Sequence, residues 1–180
     1  MSCEITYPCK FDSTLQPAIF QAAVSPEPRP LVVALHTWSF DHTQFNEAYG
    51  KLCRKYDFHL IHPKFRGPNW QRNACGSDLV VSDLEDAVAY MKKTVNVDEK
   101  RIYLVGGSGG GHCSLLMAGR RPDLWTAVSA WCPISDIAAW HKECKGGPCF
   151  RYAEHIESAC GGDPATDEAA ALDAKKRSPL

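Results

Sequence analysis

The stretch Arg101-Ile102-Tyr103-Leu104-Val105-Gly106-Gly107-Ser108-Gly109-Gly110-Gly111-His112 constrains the fold more than any other. A β-branched and aromatic run feeds a glycine cluster centred on one serine. Cys113 to Arg120 then reads as a helix, stopped by Pro122. Strand, G-x-S-x-G and helix together describe a nucleophile elbow. Gly106 and Gly110 leave room for a turn sharp enough to lift the Ser108 hydroxyl off the sheet. The amides that open the following helix can face a developing oxyanion. Other glycine motifs fail. A dinucleotide fingerprint would need glycine at His112 or at Ser108, and a phosphate loop would need a Lys-Ser/Thr pair that is not there. A flexible linker is at odds with the buried-strand run from Ile102 to Val105.

The rest of the chain repeats the strand–helix alternation. Residues 3–11 alternate, with Ile5, Tyr7, Cys9 and Phe11 on one face, and Leu15 to Ala22 returns as the second arm of an antiparallel hairpin. Leu31 to Leu35 is a continuous apolar run, expected of a central strand covered on both faces. Phe45, Ala48, Tyr49, Leu52, Cys53 and Tyr56 form one helical stripe. Phe58 to Pro63 is a further strand. Ser82-x-x-Glu85 reads as a capping box ahead of Leu84, Ala87, Val88, Met91 and Val95. A strand follows near Trp125 to Cys132, and Asp163-Pro164 reads as the start of a last helix running to Lys175. The expected fold is α/β, a mainly parallel, doubly wound sheet with an N-terminal antiparallel hairpin. Residues 1–180 read as one domain, with residues 137–176 as a helical excursion or partial cap. Ligands in such sheets sit beyond the carboxyl ends of the strands, which here carry His36 to Phe40, Phe65 to Trp70, Ser108 and Cys132 to Asp136.

Val97 to Gly110, Arg121-Pro122-Asp123-Leu124-Trp125 and Pro133-Ile134-Ser135-Asp136 resemble α/β-hydrolases of the prolyl oligopeptidase-like branch. Leu35-His36 and Arg66-Gly67 resemble that branch's turns after the third and fourth strands. The resemblance spans about residues 30–140. It implies that Ser108 is the nucleophile, attacking an ester or small-peptide carbonyl. It further implies that the N–H groups of Gly109 and Trp38 form the oxyanion hole. Thr37 stands where the family usually has glycine, and a β-branched residue resists positive φ. Phe40, Arg66, Asn69 and Trp70 are candidate pocket residues; packing for the tryptophan and a carboxylate partner for Arg66 are the alternatives. In this fold the acid and histidine follow later strands than the serine. The last strands are expected to be missing from this sequence, with Arg177-Ser178-Pro179 resembling the lead-in to the strand that would carry the acid. Asp136 is the candidate acid, or else a helix cap. His141 and His155 are the remaining candidate bases, while His112 should face helix packing.

Composition bounds the rest. A formal net charge of −1 carries no polyanion signal, no run of about 18 apolar residues could span a bilayer, and the N-terminus lacks a secretory pattern. The expectation is a cytoplasmic protein binding neither nucleic acid nor membrane, and self-associating through an exposed sheet edge. No metal or organic cofactor is implied. Nine cysteines include the run His141, Cys144, Cys149, His155 and Cys160, whose spacing matches no standard zinc pattern. A Cys144–Cys149 disulfide or free thiols is expected there, with a zinc-stabilised interaction module as a third reading of the chain. The rival to the hydrolase is a catalytically incomplete hydrolase fold that associates with itself or a partner.

Overall fold

The computed structural model describes residues 2–44 and 46–180. Among them, the first two strands, β1 (Cys3–Pro8) and β2 (Leu15–Gln21), form the expected hairpin, antiparallel from Cys3↔Phe20 to Pro8↔Leu15. Tyr7 and Cys9 are buried, but Phe11 lies beyond the strand and is exposed. β3 (Arg29–Leu35), β4 (His59–Pro63), β5 (Val97–Gly107) and β6 (Ala127–Trp131) complete a sheet of order β1-β2-β4-β3-β5-β6. The four later strands run parallel, and β2 meets β4 antiparallel.

The pleat sorts β3 into two faces. Leu31, Val33 and Leu35 enter a core with Val80, Leu84, Ala87, Val88 and Met91 of α2 (Asp78–Thr94) and Met117 of α3 (Gly109–Arg120). Each fully buried aliphatic side chain there contributes roughly 1.5–3 kcal/mol. Ala34 and the half-buried Val32 face the other way, toward Cys53 and Tyr49 of α1 (Asn46–Tyr56). Of the stripe expected on α1, Phe45 lies outside the described residues, Ala48 is exposed, and Leu52 and Tyr56 are more than half exposed. Leu52 and Tyr56 border an open apolar groove of about 400 Å³, with Tyr103, Val105 and Ala127 on its floor.

Two helix starts differ from expectation. α2 is capped by Ser77, whose hydroxyl accepts from the Val80 N–H, so Ser82 sits inside the helix and is buried. Asp163-Pro164 makes a turn closed by the Ala165 and Asp167 amides, and Asp167 is the cap of the last helix. α4 (Ile137–Lys145), α5 (Phe150–Cys160) and α6 (Glu168–Arg177) gather around Trp38, Ile137, Ile156, Ala159 and Ala174 beyond the carboxyl ends of the strands. No helix among the described residues is long and apolar enough to cross a membrane.

Strand order fixes where the cleft opens. The connection from β3 passes through α1 to β4 on one side, and that from β5 through α3 to β6 on the other. β3 and β5 therefore flank a topological switch point, the place where open α/β sheets bind ligands.

Candidate active site

Ser108 stands at that switch point with φ 54° and ψ −117°, a conformation side-chain-bearing residues rarely adopt. Two backbone bonds hold it. Its N–H donates to the Trp131 carbonyl at 2.8 Å, and its carbonyl accepts from the His112 N–H at 2.9 Å. The turn closes only because its neighbours lack side chains. A β-carbon on Gly106 would lie 2.4 Å from the Gly110 carbonyl oxygen, and one on Gly109 would lie 2.6 Å from both the Trp38 nitrogen and its α-carbon.

The backbones of Gly109 and Trp38 thus meet beside Ser108. Gly109 opens α3, so its N–H lies outside the intrahelical ladder. The Trp38 loop is pinned at three points. The Thr37 N–H donates to Gln44 Oε1 at 2.7 Å, the Asn69 N–H donates to the Trp38 carbonyl at 2.9 Å, and Trp38 Nε1 donates to His155 Nδ1 at 3.3 Å. Thr37 is not among the residues with positive φ. The turn is built without the left-handed geometry that would require glycine.

Ser108 opens into a cleft of about 330 Å³ whose walls include Cys132, Ser135, Asp136, Trp140 and Glu143. Trp140 and Glu143 carried no sequence signal for this cleft, because an aromatic and an acid on a short helix look the same in packing or on a surface. Asp136 caps α4, its carboxylate accepting from the Ala139 N–H at 2.9 Å. It lines the cleft but hydrogen-bonds no histidine among the described residues, and no side chain among them hydrogen-bonds the Ser108 hydroxyl.

Several other candidates are directed elsewhere. Arg66 is buried and makes a two-pronged pair with Asp83 at 2.7 Å on each prong, plus a 2.7 Å bond to Asp12. The Arg66 guanidinium holds the Asp12 carboxyl well below the usual carboxylate range. Asn69 is also buried, its amide oxygen accepting from the Cys75 N–H at 2.9 Å. The polar groups of both residues are engaged inside the fold. Phe40 is 56% exposed. Trp70 borders a second cleft, treated below.

Three of the histidines are likewise engaged. His36 stacks on Phe65 at 4.0 Å, its ring nitrogens 2.8 and 2.9 Å from the carbonyls of Thr37 and Lys64, and burial pushes its pKa down. His112 is buried, with Nε2 donating to the Arg177 carbonyl at 2.7 Å. His141 Nε2 lies 2.8 Å from Glu157 Oε1 and 3.7 Å from Asp163.

The His/Cys run does not assemble as a unit. Cys144, Cys149 and Cys160 are free thiols, as are the other six cysteines. What comes together instead is His141, Glu157 and Asp163, with ligand atoms within 4.8 Å of one another. The Lys145 ammonium already sits on both carboxylates.

Residues 64–172 match the family model described as the prolyl oligopeptidase family. The chain belongs to the prolyl oligopeptidase family. Among curated relatives of this family member, acetylxylan esterase A of Aspergillus ficuum is 27% identical over 149 residues, which cover 71% of this chain and 48% of the relative. The probable acetylxylan esterase A of Aspergillus niger is 26% identical over the same length and shares. The chain spans about half the length of the curated relatives it matches. Two solved structures share its α/β-hydrolase fold. An acetyl xylan esterase from Paenibacillus sp. R4 superposes with TM-score 0.76 at 18% identity, covering 99% of this chain and 63% of that one. The S-formylglutathione hydrolase FrmB from Staphylococcus aureus gives 0.70 at 10% identity, covering 99% and 70%.

Proposed function

We propose that this family member is a serine hydrolase of esters, or of small peptide amides, working through an acyl-enzyme on Ser108. The observation that carries the reading is the strained Ser108 backbone, held beside the Gly109 and Trp38 amides at the mouth of a cleft. Such strain persists only where surrounding contacts over-determine it, and it aims a hydroxyl at bound substrate. In the first step Ser108 Oγ bonds to the carbonyl carbon as its proton passes to a base. The carbonyl oxygen takes up negative charge facing the two N–H groups. The tetrahedral adduct then expels the alcohol or amine, which leaves with a proton. In the second step water attacks the acyl group by the same path, releasing the acid and restoring Ser108. Ester substrates have further support in the names of the curated relatives.

The test is labelling with a fluorophosphonate probe together with turnover of p-nitrophenyl acetate. Both are expected in the native chain and neither in Ser108→Ala. No labelling of the native chain would overturn the assignment of Ser108. Labelling without turnover would favour the second reading, a hydrolase fold lacking its base that works by association. The specific observation behind that alternative is the β6 edge, where Trp131 is 68% exposed and Ala127 and Ser129 border the open apolar groove.

A further inference from the structure

A second cleft, of about 370 Å³, lies on the same rim of the sheet as Ser108. Its residues come from the loops after β3 and β4, through Ser39 and Trp70, and from the start of α5, through Arg151, Tyr152 and His155. Its volume falls within the roughly 300–1,000 Å³ of small-molecule sites. A wall of rings separates it from the Ser108 cleft. Trp140 lines the serine side, and its ring lies 5.1 Å from Tyr152, which lines the second cleft.

Three aromatic rings shape this cleft. His155 lies between Trp70, at 4.9 Å between ring centres, and Tyr152, at 5.9 Å and nearly perpendicular. Such surfaces stack against the flat apolar face of a six-membered ring.

The cleft also holds polar groups that the fold leaves unengaged. An indole N–H only donates, so the Trp38 bond makes His155 Nδ1 an acceptor and leaves the ring proton on Nε2. Burial, then the Arg151 charge, lowers the His155 pKa, in keeping with that neutral form. No partner for His155 Nε2, for the Arg151 guanidinium or for the Ser39 hydroxyl occurs among the described residues, in contrast to Arg66, Arg120, Arg121 and Arg177, which all engage carboxylates. A cation and a neutral N–H donor beside stacking rings match a ring that carries an anionic acceptor.

We propose that this cleft binds a pyranose ring bearing a carboxylate, a hexuronate unit. Its ring packs on Trp70 and Tyr152, and its carboxylate accepts from Arg151 and from His155 Nε2. The role of that unit as part of the substrate's alcohol portion, lying along the rim from Ser108, rests on the esterase reading; the binding itself does not.

Calorimetric titration of the Ser108→Ala chain with glucuronate, xylose and benzoate tests the proposal without any need for hydrolysis. Glucuronate is expected to bind, xylose to bind at least about tenfold more weakly, and Arg151→Gln to remove about that factor for glucuronate alone. Trp70→Ala should weaken both sugars. Arg151 is exposed, so its substitution leaves packing intact and keeps the test valid if Trp70→Ala misfolds. Absence of glucuronate binding, a preference for benzoate over glucuronate, or equal glucuronate affinity in Arg151→Gln would each overturn the proposal. Turnover of p-nitrophenyl acetate without glucuronate binding would sink this site and leave the esterase reading intact. Binding without turnover would do the reverse.

Discussion

His62 is fully buried in β4 with neither ring nitrogen hydrogen-bonded among the described residues, and His112 is fully buried with its Nδ1 likewise unpaired there. Burial, followed for His62 by the nearby His36 and His42, pulls their pKa values down from 6.5 to about 3 and about 4. Between these values and pH 6.5 the unfolded chain takes up protons that the folded chain refuses. Their stabilising contribution is therefore complete above pH 6.5 and is lost as pH falls through the folded values. Each group steepens the loss by up to about 1.4 kcal/mol per pH unit. His62→Phe keeps a ring in place and should flatten the dependence of the urea midpoint on pH between 4 and 6.5; an unchanged slope would refute it. The elbow glycines make a separate prediction. Gly109→Ala drives a β-carbon into the Trp38 backbone, which cannot swing aside as a side chain can, whereas nothing lies within 4 Å of the equivalent position at Gly119 in the same helix. Gly109→Ala should cost about 1–3 kcal/mol and slow fluorophosphonate labelling. Gly119→Ala should gain roughly 0.5–1 kcal/mol and label normally. Equal behaviour of the two in urea unfolding and labelling would mean that the close approach does not matter.

Helix α6 is fastened mainly through Arg177. Its guanidinium donates to the carbonyls of Ala74 at 2.7 Å, Cys75 at 3.2 Å and Arg72 at 2.9 Å, and pairs with Asp173 one turn earlier. Its own carbonyl accepts from His112, which ties α6 to the helix that follows Ser108. Arg177→Ala leaves those buried carbonyls unpaired and should cost more than about 2 kcal/mol. Hydrogen exchange should then accelerate in α4–α6 before it does in α2 or α3. Uniform acceleration would show that these helices unfold only with the sheet. This clamp was not legible in the sequence, because Arg177 bonds to segments about a hundred residues away. Elements with a strong local period were legible: Leu31 to Leu35, Ile102 to Val105 and the stripe of α2 all lie where alternation or helical spacing placed them. Caps were read less well. Ser77 and Ser82, or Asp163 and Asp167, offer the same chemistry a turn apart, and only the packing of the following helix selects between them. Ser108 and its glycines could be read because a sharp turn imposes composition locally. Trp70 and the α5 residues Arg151, Tyr152 and His155 come from segments about eighty residues apart, and no spacing rule joins the two.

On the scale of the whole molecule, the two faces of the sheet are unequally covered. α2 and α3 bury one face, while on the other α1 leaves Leu52 and Tyr56 exposed beside Val105 and Ala127. That groove lies against β6, the edge strand, whose residues alternate between exposed and half-buried. Parallel strands are ordinarily covered on both faces, and an unpaired apolar edge is a template for pairing with another chain. Self-association through this edge is therefore the expected solution behaviour, with the Leu52–Tyr56 surface of one copy shielding the groove of another. Sedimentation velocity should show mass increasing with protein concentration. Ala127→Lys puts a charge on the exposed β6 border of the groove, where a solvated lysine is tolerated in the single chain but not beneath a partner. It should return the species to monomer while leaving Ser108 labelling unchanged, since Ala127 lies four residues before the Trp131 carbonyl that holds the turn. A native chain that stays monomeric at all concentrations would end this reading. So would an oligomer that persists in Ala127→Lys, because the association would then have to use a surface other than the one the sheet leaves open.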